Sequence, residues 1–439
     1  MDKKNILRSL LFLALPVMLQ NLITAGLNLV DTMTIGQLGE VRIAAVGLAN
    51  QYYFIFSLLL FGVNSGIAIF TAQYFGKDEI DGVRKSVGLA LSISIISSLV
   101  FAIGAIGFSR TVMEIFSKDP LVVQDGMRYL KVIGFSYTFT ALSYALSFSL
   151  RAIGQPKIPL MISSVALLTN TVLNFGLILG NFGLPALGVQ GAAIATLIAR
   201  TIECSALLFF LYKSKHILLA GKENFSFSKS FITRVAHTSG LVVVNEFLWS
   251  IGMSTVVIAY ASVGTEAAAA VQIANTIQNL FIVAGYGVAN ASAVLLGQSL
   301  GSGNFDRAIK QSRLFMITGF LFGATLGIGL IFSRESILRV YQIEAGTQQS
   351  IRSLLLIMAL FMGFKILNTT ISIGVLRSGG DTKYAFFVDT GSVWLAGVPA
   401  AFFAAYVLHL SIPLVYLFAS SMDVFRFLAG VPRALSNKW

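Results

Sequence analysis

One cysteine, Cys204, and three histidines, His216, His237 and His409, are all the thiol and imidazole chemistry in this chain of 439 residues. A lone thiol builds neither a disulfide framework nor a thiolate metal cluster, and the histidines are too far apart for metal-ligand spacing. Charge is equally scarce. Asp, Glu, Lys and Arg make up 11% of the chain, against about 25% in soluble domains. With 56% hydrophobic residues, that excludes a soluble globular protein, because no single core hides so much apolar surface. No Walker loop is present, which excludes ATP hydrolysis as an energy source. No Ser-His-Asp, zinc or paired-carboxylate pattern stands out, and no loop is long enough for a soluble sensor domain. An embedded enzyme and a receptor both lose their basis. The Gly-rich "GQSLGSGNF" at 297–305 falls between apolar runs and reads as a turn, not a phosphate cradle.

What the chain has is long apolar runs. About twelve windows of membrane-spanning length recur near 9–34, 45–70, 86–109, 128–150, 158–180, 188–212, 237–261, 268–296, 312–333, 353–376, 384–408 and 411–430. They are continuous and too long for barrel strands, so the fold class is an all-α integral membrane protein. Lys3, Lys4 and Arg8 precede the first run, which is too long for a signal-peptide core and is read as a retained first helix. With the N-terminus in the cytoplasm, most Lys and Arg fall on the inner side, among them Lys77, Arg84, Lys85, Arg151, Lys157, Lys213, Arg307, Arg377 and Arg426. The net charge of +12 is then the positive-inside bias rather than a nucleic-acid surface.

The chain also repeats itself. "AAVGLAN" at 44–50 returns as "AAVQIAN" at 269–275, and Gly62-Val63 returns as Gly287-Val288, a shift of 225. Gln73, Gly76 and Asp81 return as Gln298, Gly301 and Asp306 at the same shift, and "LRAIGQPK" at 150–157 returns as "LRSGGDTK" at 376–383, shifted by 226. Six spans in each half give both halves the same orientation, hence a pseudo-twofold along the membrane normal. The expected division is an N-lobe at 1–215, a cytoplasmic linker at 216–230 and a C-lobe at 231–439.

Charges stranded inside spans carry functional weight, because burying them in lipid is costly. Asp31 sits in the outer half of the first run with no cation within a helical turn. Its repeat-mate at 256 is a valine, so it is not shared scaffold. Asn170 and Asn174 share a face of the fifth span at i, i+4, and Arg200 and Glu203 share one of the sixth at i, i+3. Glu246 and Lys365 lie mid-span at comparable depth, which makes a Glu246–Lys365 ion pair the expectation for the C-lobe. Asp389 is expected to be an end or packing residue, and Arg151 and Arg377 to serve cytoplasmic turns. Tyr137, Tyr144 and Phe281, with Arg200 and Glu203, are candidates for lining a cavity. Pro16 offers the first helix a place to bend.

In order along the chain, "LVDTMTIGQLG", "AAVGLANQ", "AQYFGK", "LRAIGQPKIP", "LGVQGAAIAT" with Arg200, "NEFLWSIG", "GQSLG" and "LRSGGDTK" make the sequence resemble the multidrug and toxic compound extrusion (MATE) family. The resemblance implies two six-helix lobes, a cleft open to one side at a time, and antiport of organic, often cationic amphipathic compounds against H⁺ or Na⁺. It implies an N-lobe cation site at Asp31 with Asn170 and Thr196, where Asn174 replaces an acid found in some members. It also implies a second candidate site for a cation or substrate at Glu246, beside Lys365. The missing second acid and the expected pairing of Glu246 favour H⁺ over Na⁺. No cofactor and no structural metal are expected, Na⁺ at Asp31 or Glu246 aside. The protein is expected to be a monomer in the cell membrane, contacting lipid, with both termini cytoplasmic. The alternative is a flippase for a lipid-linked saccharide.

Overall fold

A computed structural model describes residues 3–219, 221, 225–338 and 345–439. Every regular element among them is helical. The first half runs α1 (Lys3–Gly36), α2 (Glu40–Gly76), α3 (Ile80–Gly107), α4 (Ser109–Phe116), α5 (Pro120–Ile133), α6 (Ser136–Ala152), α7 (Lys157–Leu179) and α8 (Val189–Lys213). The second runs α9 (Lys229–Val263), α10 (Thr265–Gly301), α11 (Phe305–Leu338), α12 (Ala345–Thr369), α13 (Thr382–Gly391), α14 (Val398–Phe402), α15 (Ile412–Ala419) and α16 (Ser421–Leu435). Of the expected linker, residues 220 and 222–224 lie outside the described residues.

Among the described residues, 11 helices are long and apolar enough to cross a membrane. The expected fourth span does not reach that length in one piece. It is divided into α5 and α6 at Gly134-Phe135, but the path continues, with the Gly134 N–H donating to Leu130 O and the Tyr137 N–H to Gly134 O. Asp119 caps the start of α5, its carboxylate accepting from the Leu121 N–H at 2.9 Å, with Pro120 in the first turn. The later spans depart from regular α geometry: Thr370–Arg377, Ser392–Gly397 and Phe403–Val407 are π-helical. Each wide turn takes extra residues and so rotates everything that follows about the helix axis.

The chain divides into two compact units, Leu19–Val243 and Met1–Met18 with Val244–Trp439. The division therefore differs from one drawn at the polar linker. Residues 3–18 pack with the C-terminal unit, and α9 packs with the N-terminal unit as far as Val243. The repeated glycines account for both. A Cβ on Gly62 would lie 2.8 Å from Val243 Cα, so α2 can receive the first half of α9 only without a side chain there. A Cβ on Gly287 would lie 3.0 Å from Ala14 O and 3.1 Å from Met18 N, so α10 receives the first half of α1 in the same way. Such close approach is what glycine permits and any other residue blocks.

Each unit has its own apolar core. In the N-terminal unit, Phe56, Met113, Leu130 and Tyr137 are fully buried together. In the C-terminal unit, Leu354, Met358, Met362 and Val415 pack around Tyr260 and Tyr416. Ile6, Leu10 and Ala14 of α1 join Phe315, Val375 and Leu376 in a second C-terminal core.

Candidate functional site

In the N-terminal unit a cavity of about 430 Å³ is lined from α1, α2, α5, α6, α7 and α8, with Asp31, Asn170, Asn174, Thr196, Arg200 and Glu203 on its wall. The helical period explains the grouping. Positions 163, 170 and 174 lie on one face of α7, and 196, 200 and 203 on one face of α8. Helix α1 runs parallel to α7 in fixed register: Gln20 meets Ser163 and Asp31 meets Asn174, both 143 residues apart.

The geometry at Asp31 is that of a carboxylate held by amides. The Asn174 Nδ2 donates to Asp31 Oδ1 at 2.6 Å. In the amide orientation that satisfies both of its ends, Asn170 Nδ2 donates to Asp31 Oδ2 at 3.0 Å, and its oxygen accepts from Thr196 Oγ1 at 3.2 Å. The Asn174 Oδ1 is buried without a hydrogen-bond partner. Among the described residues no Lys, Arg or His makes an ion pair with Asp31.

Arg200 and Glu203, on the same wall, pair at 2.7 Å. Glu203 also accepts from Ser163 Oγ at 2.5 Å. Ser163 in turn accepts from Gln20 Nε2 at 3.0 Å, and Gln20 Oε1 accepts from Arg151 Nη2 at 3.2 Å. The donors all point one way along this chain, from Arg151 towards Glu203. Arg151 is thus tied into the interior of the unit rather than confined to a turn.

The aromatic side chains facing the cavity are Tyr53, Phe54 and Tyr129. Tyr137, expected there, is fully buried and stacks on Phe56 with ring centroids 5.0 Å apart. Tyr144 packs beside Phe148 at 5.9 Å, and Phe281 packs on the core of the C-terminal unit. None of these three belongs to the cavity wall. An aromatic at the right depth faces whichever way its helix turns it, and these turn into packing.

The C-terminal unit corrects the expected ion pair. Glu246 accepts from Arg377 Nη2 at 2.9 Å, whereas Lys365 pairs with Asp423 at 3.2 Å. Depth along a helix does not set direction around it. Lys365 faces α16, and the π-helical stretch from Thr370 brings Arg377 inward, to 5% exposure. Asp389 is likewise no end residue. It receives Arg377 at 3.2 Å, Arg426 at 2.5 Å and Ser372 Oγ at 2.6 Å. Glu246, Asp389 and Asp423 are each matched by a cation.

A polytopic all-helical membrane fold of two repeated units, with a cavity that carries Asp31, Asn170 and Asn174 on its wall, is the framework of a transporter. The chain belongs to the MatE family, whose model matches residues 16–175 and 241–403. It is 24% identical over 443 residues to the Thermotoga maritima protein named "Probable multidrug resistance protein NorM", covering 99% of this chain and 93% of the relative. It is 27% identical over 406 residues to "Multidrug resistance protein NorM" of Burkholderia vietnamiensis, covering 90% and 86%. The crystal structure of MATE in complex with MaL6 superposes with a TM-score of 0.90 at 18% identity, over 100% of this chain and 98% of that one.

Proposed function

We propose that the protein is a secondary active multidrug antiporter of the cell membrane, expelling organic, often cationic amphipathic compounds in exchange for H⁺, with Asp31 as the coupling site. One observation carries the reading. Of the carboxylates within the spans described above, Asp31, which is partly buried, alone lacks an ion-pair partner. An unmatched carboxylate inside a membrane protein invites a mobile cation. The cavity wall joins it to Tyr53, Phe54 and Tyr129, a surface suited to a flat organic cation.

The choice of H⁺ over Na⁺ rests on the amides. Asn174 turns its nitrogen towards Asp31 at 2.6 Å. Na⁺ bound there would need that amide to present its oxygen instead, whereas a proton needs no reversal. Neutralising Asp31 weakens its hold on these donors. That shifts the balance of lobe arrangements by the difference in cation affinity between them. On this reading both termini lie on the cytoplasmic side, which the inner excess of Lys and Arg supports, and the protein works as a monomer, the Asp31 site being built within one unit.

Everted vesicles test this. A pH gradient should drive ethidium efflux by the wild type and leave Asp31→Asn at background. Transport driven by Na⁺ alone would replace the ion, and efflux by Asp31→Asn at the wild-type rate would remove the site. A folded protein that moves no drug under either gradient would favour a lipid-linked saccharide flippase.

A further inference from the structure

Three of the residues that line the N-terminal cavity are charged: Asp31, Arg200 and Glu203. With both carboxylates ionised, two negative charges stand against one positive charge, and the wall carries one net negative charge. The rest of the wall is amides, hydroxyls, aromatic rings and aliphatic side chains such as Ile35, Val46 and Leu167. In such surroundings a charge is felt further than in water, so the net count bears on what the cavity accepts.

Arg200 and Glu203 cancel each other. They stand about one turn apart on α8, and Arg200 Nη1 meets Glu203 Oε2 at 2.7 Å. The other carboxylate oxygen, Oε1, accepts from Ser163 Oγ at 2.5 Å, and Ser163 is held by Gln20 Nε2 at 3.0 Å. The Glu203 side chain is 6% exposed and that of Arg200 25% exposed. The guanidinium therefore opens on the cavity while its counter-charge is clamped in the wall. Arg200 lies about one turn beyond Thr196, whose hydroxyl hydrogen-bonds Asn170 in the Asp31 site, and its charge acts on Asp31. Freed of Glu203, it would supply the cation that Asp31 lacks. Arg151, the other cation of this hydrogen-bonded chain, is not on the wall. It donates to Gln20 at 3.2 Å and lies over the Phe148 ring at 5.1 Å.

We propose that the Arg200–Glu203 pair sets the valence of the cargo: it neutralises itself, leaves one net negative charge on the cavity wall, and so selects an aromatic monocation. A dication would bring a second positive charge to a wall with no free carboxylate for it, beside Arg200. A neutral compound would leave Asp31 unmatched. Charge thus discriminates by number, while Tyr53, Phe54 and Tyr129 offer surface to any flat ring. Arg200 and Glu203 are specificity-determining residues on this account, and Asp31 remains the group that exchanges its partner.

This selection deepens the antiport reading and rests on its cargo cavity, but equilibrium binding reads it without a gradient. Ethidium carries one positive charge and propidium two on the same ring system. Dissociation constants for both are measured near pH 8 with purified wild type, Glu203→Gln, Arg200→Gln and the double variant, and gradient-driven ethidium efflux is measured with the wild type in proteoliposomes. Glu203→Gln leaves no net charge on the wall and should weaken ethidium about tenfold and propidium more. Arg200→Gln leaves two negative charges and should shift the preference about tenfold towards propidium. The double variant regains one negative charge, and its preference should lie within about threefold of the wild type. A pair that only supported the fold would change the number of binding sites and leave the ratio of the two constants unmoved. An unmoved ratio in both single variants, or a double variant that keeps the shift of either, overturns the valence rule and leaves antiport standing. A wild type that binds ethidium but moves none under any gradient overturns antiport and leaves the valence rule to the binding data. A wild type that binds neither dye removes the cargo cavity, and the valence rule with it.

Discussion

The two units build their polar clusters with different electrostatics. In the C-terminal unit Glu246, Arg377, Asp389 and Arg426 balance one another, and Lys365 and Asp423 balance beside them. In the N-terminal unit Gln20 and Ser163 are neutral, Glu203 is matched by Arg200, and Arg151 rests on an amide. Two charges there have no direct opposite, Arg151 at one end of the polar seam and Asp31 at the other. A closed ionic cluster is a fixture, whereas a seam with a carboxylate left over can change its charge. On the proposed reading, the C-terminal unit holds and the N-terminal unit couples.

The sharpest break would come at Asp31. Asp31→Asn keeps the amide contacts in shape but removes the titrating group, and efflux under a pH gradient is expected to fall at least about tenfold. Glu203→Gln, by contrast, should weaken transport without abolishing its dependence on the gradient. Equal losses in the two variants would merge the roles kept apart here.

The next contrast is between repeat-related arginines. Arg377→Leu strands Glu246 and Asp389, which are nearly buried, and should cost about 3–5 kcal/mol. Arg151→Leu removes a donor from a neutral amide and should cost about 1 kcal/mol. Unfolding in mixed detergent reads both. Similar losses would mean that the charge difference between the units is immaterial to stability.

Lys365 and Asp423 give a smaller effect. Each single change, Lys365→Met or Asp423→Leu, leaves the other charge buried, and the double change removes both. The double variant should therefore be more stable than the sum of the singles by about 1–3 kcal/mol. Additivity would show that the pair is not coupled.

The smallest effect lies outside the spans. His216 accepts from the Leu218 N–H at Nδ1 and meets Gln155 Oε1 through Nε2 at 3.0 Å, which requires the neutral ring. Burial pushes its pKa below the ordinary value. A base depressed in the fold contributes stability that is complete above its unfolded pKa, near 6.5, and declines as pH falls below it. The melting temperature should drop slightly more between about pH 6.5 and 5 for wild type than for His216→Asn.

Much of this was legible in the sequence. Apolar run lengths give the spans, and the shift of 225–226 gives the repeat, down to the glycines that admit α1 and α9. The i, i+3 spacing of Arg200 and Glu203 sets a pair that forms at 2.7 Å. The partners of Glu246 and Lys365 were not legible. Periodicity reports depth, but the π-helical turns before Arg377 and after Asp389 reset direction, and nothing in "TTISIGVLR" announces them. Gln20 and Ser163 escape a search confined to charged residues. Carrying Asn245 back by 225 and Asp389 back by 226 would have found both. Asp423 stands three residues before Arg426 in the last span, and that spacing was its one signal.

Proton release on substrate binding tests the central claim most directly. Ethidium is added to purified protein in weakly buffered, Na⁺-free detergent solution near pH 7, and the pH change is followed. Wild type and Glu246→Gln should release protons in proportion to ethidium bound, and Asp31→Asn should bind and release none. Release by Asp31→Asn equal to wild type, or its disappearance in Glu246→Gln alone, would place the exchanged proton elsewhere and contradict the account.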